Sequence, residues 1–168
     1  TRGIELSVWT EIGRNLTIRG NMNLQQGSLD YQTEDIDVNI FSNYHVQLFE
    51  SGKFLNKDAH LDRLSRRSNR FNLQVGYQIT PTTNVAFGVN HFGRKNDIFY
   101  SMHILPYGAL DTKLLNSYTL YNVSFRQQIY KFITLSLRIQ NLFDKSYTEL
   151  LGYSTRGRGI YLNLNFSL

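Results

Sequence analysis

The 168-residue chain has no cysteine, which excludes a disulfide framework and any thiolate metal site. It has only two prolines. No stretch is long and apolar enough for a transmembrane helix. Charged residues are scarce at 18%, below the usual quarter or so. Thr1-Arg2-Gly3-Ile4-Glu5 passes straight into an alternating segment, so no signal peptide is expected there. What the chain does hold is aromatic residues, at 14%, and many Asn, Gln, Ser and Thr. With so many Tyr, Phe, Leu and Ile, disorder is not expected. The length suits one domain, and the net charge is +5. A mean hydropathy of −0.35 ordinarily marks a soluble protein. A transmembrane β-barrel escapes that rule, because it alternates lipid-facing and lumen-facing residues.

Period-two alternation recurs along the chain. Ile160, Leu162, Leu164, Phe166 and Leu168 share one face, opposite Tyr161, Asn163, Asn165 and Ser167. Ile133, Leu135, Leu137 and Ile139 oppose Thr134, Ser136, Arg138 and Gln140. Tyr121, Val123 and Phe125 form the next set, then Val85, Phe87 and Val89. Phe71, Leu73, Val75, Tyr77 and Ile79 follow the same rule. So do Leu16, Ile18, Met22 and Leu24, and Ile4, Leu6 and Val8. These segments predict seven strands.

The expected connections alternate between tight turns and long loops. The tight ones run from 11 to 15, 80 to 83 and 129 to 132. The long ones run from about 25 to 68, 93 to 117 and 144 to 157. Short turns at one end and long loops at the other are the layout of an outer-membrane barrel. A soluble sandwich would carry many Lys and Glu on its polar faces; these faces are mostly Asn, Gln, Ser, Thr and Gly. Trp9, Tyr77, Tyr130 and Phe132 lie next to the tight turns. Tyr31, Phe92, Tyr118, Phe143 and Tyr147 lie near the long loops. Both groups are expected to form aromatic girdles at the two lipid interfaces.

The stretch Leu137-Arg138-Ile139-Gln140-Asn141-Leu142-Phe143-Asp144-Lys145-Ser146-Tyr147 resembles the signature near the end of TonB-dependent outer-membrane receptors. Gly152-Tyr153, Gly157-Arg158-Gly159 and a last alternating strand follow in that family's order. Gly3-Ile4-Glu5-Leu6, Arg70-Phe71-Asn72-Leu73 and Gly93-Arg94-Lys95-Asn96-Asp97 resemble other strands of the family. The resemblance implies an all-β antiparallel transmembrane barrel of roughly 22 strands with a plugged lumen. Residues 1–168 would be its C-terminal seven or so strands, with no plug domain in this chain. It implies import of a scarce ligand (a ferric siderophore, haem or cobalamin) with energy delivered by TonB, and no cofactor. The implied location is the outer membrane of a Gram-negative bacterium. The implied partners are the rest of the barrel, its plug, TonB through the missing N-terminal part, and the small metal-chelate ligand. The final strand fits the family's assembly signal, although it closes on Leu168 rather than an aromatic residue.

Within that frame Phe99, Tyr100 and Tyr107 are candidate ligand contacts at the mouth. Arg126 and Arg138 are candidate lumen contacts for an anionic ligand, on the same kind of face as Arg19 and Glu5. The alternative is that these charges pair with one another or with the plug. Asn141, Leu142, Phe143, Asp144, Tyr147, Gly157 and Arg158 match the family motif, and their expected role is structural. Arg63, Arg66, Arg67 and Arg70 form a basic group suited to lipopolysaccharide phosphates, or simply to solvent. No nucleic-acid motif accompanies them. Asp30, Glu34, Asp35 and Asp37 lack EF-hand spacing, so calcium is a minor reading. His45, His60, His91 and His103 are scattered, and solvation outweighs haem ligation. No nucleophile elbow, P-loop or H-E-x-x-H occurs, and no enzyme is expected. Two other readings stay open. One is a complete eight-stranded outer-membrane barrel of structural or adhesive role, with residues 36–49 as its eighth strand. The other is a soluble ligand-binding barrel.

Overall fold

The computed structural model describes residues 1–27, 29–31, 48–50, 53–54, 59–61, 68–105 and 108–167. Among them there is no helix, and the strands run in order β1 (Arg2–Ile12), β2 (Leu16–Gln26), β3 (Leu29–Tyr31), β4 (Leu48–Glu50), β5 (Lys53–Phe54), β6 (Ala59–Leu61), β7 (Arg70–Thr80), β8 (Thr83–Phe92), β9 (Lys95–Ser101), β10 (Ala109–Leu115), β11 (Tyr118–Tyr130), β12 (Ile133–Gln140) and β13 (Gly159–Phe166). Seven of them form one antiparallel sheet in the order β1–β2–β7–β8–β11–β12–β13. These are the seven strands that alternation predicts.

The register carries the alternation across the whole sheet. One row runs Ile18–Val75–Phe87–Val123–Ile139–Ile160. The adjacent row runs Thr17–Gly76–Ala86–Ser124–Arg138–Tyr161. Directly paired residues project to the same side, so each row belongs to one face. A slip of one residue would put Arg138 among the aliphatic side chains, which is why the pattern fixes the register. The aliphatic face is open: Ile4 is 67% exposed, Leu162 70% and Phe166 65%. In water this would be a large aggregation-prone patch. Facing lipid it needs no further cover.

The tight turns form where expected, at Gly13–Asn15, Pro81–Thr82 and Lys131–Phe132. Gly13 supplies a φ of 64°, which an ordinary side chain resists. Pro81 presets the φ that its turn requires. The ladder shifts by one residue at Gln78/Thr80 and at Gln128/Tyr130, beside two of these turns. Tyr130 pairs with Ile133 after that shift, and its ring stacks on Phe132 at 6.1 Å.

The long connections hold more structure than loops. Residues 95–101 and 109–115 pair as an antiparallel hairpin, β9 on β10. β4 lies parallel to β10 and pairs with β5, and β3 pairs with β6. Residues 48–49 of the proposed eighth strand therefore join β10 and not the seven-stranded sheet. Residues 36–47 lie outside the described residues.

The girdle expectation needs correction at Trp9, Phe92 and Tyr118, and at Tyr147, whose ring stacks on Tyr118. Trp9 pairs with Arg19, so it sits on the polar face. Phe92 pairs with Arg70 and Tyr118, on the same face as Asn72 and Asn90. Nearness to a strand end says nothing about which face a residue takes; parity decides that. Tyr77 does fall on the aliphatic face, opposite Val85. The side chain of Tyr31 is not described.

Candidate functional site

The Asn141–Tyr147 motif builds a rigid turn at the outer end of β12. Asn141 and Asp144 have φ of 51° and 52°, a region that Asn and Asp tolerate better than most residues. Asn141 is 4% exposed, and its side chain closes the turn in both directions. Its Oδ1 accepts the Lys145 N–H at 2.8 Å, and its Nδ2 donates to the Lys145 carbonyl at 3.0 Å. Its own N–H donates to Asn122 Oδ1 at 3.1 Å, and the Leu142 N–H donates to the Tyr121 carbonyl at 2.7 Å. These bonds tie the turn to β11. Asp144 Oδ1 accepts the Arg158 N–H at 2.7 Å. A methyl group on Gly157 would sit 2.7 Å from that same oxygen, so the glycine permits the approach. Phe143 projects outward, 69% exposed, with its edge against Tyr121 at 5.2 Å.

On the polar face an aromatic ladder lines the mouth. The Arg70 guanidinium lies 5.6 Å from the centre of the Phe92 ring. Phe92 stacks on Tyr118 at 4.8 Å, and Tyr118 stacks on Tyr147 at 4.3 Å. Burial raises the Tyr147 hydroxyl above its ordinary value of 10.0, and the Glu149 carboxylate adds to the shift. Thr155 donates to the Tyr147 carbonyl at 2.7 Å, fixing the chain that carries the ring. Asp97 on β9 is 2% exposed and accepts the Leu151 N–H at 2.8 Å.

Below the mouth the polar face forms a groove of about 320 Å³ edged by Arg19, Asn21, Asn72, Gln74 and Asn90. Gly88 leaves it open by contributing no side chain. Asn21 Nδ2 donates to Ser7 Oγ at 2.9 Å and to Glu5 Oε1 at 3.3 Å. The Asn23 side-chain oxygen is buried with no hydrogen-bond partner among the described residues. Arg138 lies further along, 5.1 Å from the centre of the Tyr161 ring. Such a surface offers donors, acceptors and a cation to a polar partner within the lumen.

The structure brings the motif residues together but spreads the other candidates over two separate sheets. Phe99 and Tyr100 are in β9, and the Tyr100 ring packs over Gly108. Tyr107 lies outside the described residues. Arg126 pairs with Asn84 and Ser136 near the tight-turn end, and Arg138 sits at mid-sheet opposite Ser124. Arg70 belongs to the mouth ladder. Arg63, Arg66, Arg67, Glu34, Asp35, Asp37 and His45 lie outside the described residues. The side chains of Asp30 and His60 are not described. His91 bonds to Thr119 Oγ1 at 2.9 Å through Nδ1, and His103 is exposed in the β9–β10 turn. Sequence reasoning missed the Asp97–Leu151 bond and the ladder. Counting parity through β8 and β11 would have found the Phe92–Tyr118 pair.

No protein-family model matches the chain. Over 110 residues, 66% of its length, it is 26% identical to the vitamin B12 transporter BtuB of Vibrio cholerae serotype O1, and spans 17% of that protein. Its structure is similar to the siderophore receptor PiuA of Acinetobacter baumannii, with a TM-score of 0.62 and 22% identity, covering 98% of this chain and 21% of that one. It is similar to FpvA of P. aeruginosa, solved bound to pyoverdines, with a TM-score of 0.63 and 14% identity, covering 98% of this chain and 19% of that one. The resemblance read from residues 137–159 is borne out, since these relatives are a transporter and receptors of that type. The fold matches part of the β-barrel of these TonB-dependent receptors, and the chain spans about a fifth of their length.

Proposed function

We propose that residues 1–168 are the C-terminal part of an energy-coupled outer-membrane transporter, not an enzyme, and that its ligand is a scarce metal chelate. The observation that carries this reading is the two-faced sheet. A mainly aliphatic face, with Thr83 and Gln127 near the tight turns and His91 and Thr119 near the mouth, lies back to back with a face of Asn, Gln, Ser, Thr and Arg. The polar face provides the passage, and the mouth ladder provides flat surfaces with Arg70 beside them. Ferric siderophores, haem and cobalamin all present flat or polar rims suited to such a surface. PiuA and FpvA are named for siderophores, and BtuB for vitamin B12.

In this reading the rest of the barrel pairs with the free edges of β1 and β13. A plug domain meets the lumen face, where the unpartnered Asn23 oxygen favours a donor from outside this segment. TonB supplies energy through the missing N-terminal part, and lipid and lipopolysaccharide surround the outer face. The test is uptake by cells expressing the full-length protein, using labelled ferric siderophores, haem and cyanocobalamin, with and without a protonophore. Saturable uptake of one chelate that stops on uncoupling supports the reading. Uptake that ignores the uncoupler refutes active transport. No uptake, with a native polypeptide of only 19.6 kDa in the outer membrane, favours the small autonomous barrel.

A further inference from the structure

We infer that Asp97 is a positioning residue that latches the β9–β10 hairpin to the 144–157 loop, so that the two form a single wall of the mouth. Asp97 is the largest fully buried side chain among the described residues, and it is an acid. A buried carboxyl group is costly unless its oxygens are bonded. Here Oδ2 accepts the Leu151 main-chain N–H at 2.8 Å, across 54 residues of sequence. Each of the two segments it joins also has anchors of its own. The hairpin continues from β8 through Gly93, whose N–H donates to the Asn69 carbonyl at 2.8 Å. The 144–157 loop is anchored by the Asn141 turn at one end and by the Asp144–Arg158 bond at the other. Leu151 lies between these anchors, beside the turn at Gly152, whose φ is 80°. Tyr147, four residues before Leu151, completes the aromatic ladder through Tyr118. The hairpin that carries Phe99 and Tyr100 is thereby held to the loop that carries Tyr147.

The consequence for ligand capture rests on the proposed function; the latch itself does not. The test is hydrogen exchange of the full-length protein in detergent, comparing wild type with Asp97→Ala and Asp97→Asn. Asp97→Ala is expected to speed exchange of the Leu151 amide by about ten- to hundred-fold, the scale of losing one bond to a charged group. Exchange across 95–101 and 109–115 is expected to rise with it, while the central amides of β11 and β12 stay unchanged. Asp97→Asn keeps one carbonyl acceptor and is expected to fall in between, which separates latch loss from misfolding. Unchanged Leu151 exchange in Asp97→Ala overturns the inference, and so does acceleration confined to the hairpin. Chelate binding is measured on the same samples. Absence of binding by the wild type counts against the proposed function and leaves the exchange result to decide the latch.

Discussion

Moving a positive charge by one residue along β12 is expected to move it from the lumen to the lipid. β11 has 13 residues. At about 3.4 Å per residue and a tilt of about 45°, a strand of that length rises roughly 30 Å, the thickness of the hydrocarbon core. Its midpoint is Ser124, which pairs with Arg138. Arg138 therefore lies at mid-depth on the polar face, and Leu137 lies beside it on the aliphatic face between Phe125 and Leu162. Leu137→Arg puts a guanidinium into the middle of the bilayer, at a cost of about 2–4 kcal/mol. Ser136→Arg adds the same charge one residue away on the lumen face, opposite Arg126, and is expected to cost less because the guanidinium does not enter hydrocarbon. Urea titration of the full-length protein in phospholipid vesicles measures both, provided the slope with denaturant is unchanged. Equal losses for the two variants would refute the assignment of faces.

Other expectations follow from the outer turn. Asn141→Ala removes both bonds to Lys145 and leaves alanine at a φ of 51°, so unfolding should become easier by about 1–3 kcal/mol. Asn141→Gly keeps the backbone angle and should lose less in the same titration. Gly157→Ala drives a methyl group against Asp144 Oδ1 and should break its bond to the Arg158 N–H, seen as faster exchange of that amide. The raised value of Tyr147 makes its neutral form the favoured one in the folded protein. Its contribution is therefore present below pH 10.0 and lost as pH rises through the folded value. Ultraviolet titration should show Tyr147 among the late-ionising tyrosines, and Tyr147→Phe should shrink the late step by one tyrosine.

The strands and their pairing were legible because a sheet with lipid on one side and a polar lumen on the other writes its register into every second residue. Ile133–Gln140 and Gly159–Phe166 needed nothing beyond that alternation. The turn at Asn141 was legible because Asn and Asp at its corners suit left-handed backbone. The mouth ladder was misread because Phe92 and Tyr118 were assigned by nearness to strand ends, whereas their face follows from parity with Asn90 and Leu120. The β9–β10 hairpin was read as a loop because Lys95–Ser101 mixes charged and apolar residues without a lipid-facing period. The Asp97–Leu151 bond was out of reach, since nothing local in the sequence marks a main-chain partner 54 residues away.

The most direct test of the whole account is a cysteine scan along Ile133–Gln140, read in intact outer membranes with a water-soluble maleimide. The chain's own lack of cysteine gives a clean background within this segment. The account predicts labelling at 134, 136, 138 and 140, and protection at 133, 135, 137 and 139. Equal labelling at both sets would mean that the aliphatic face meets water, and would contradict the membrane barrel.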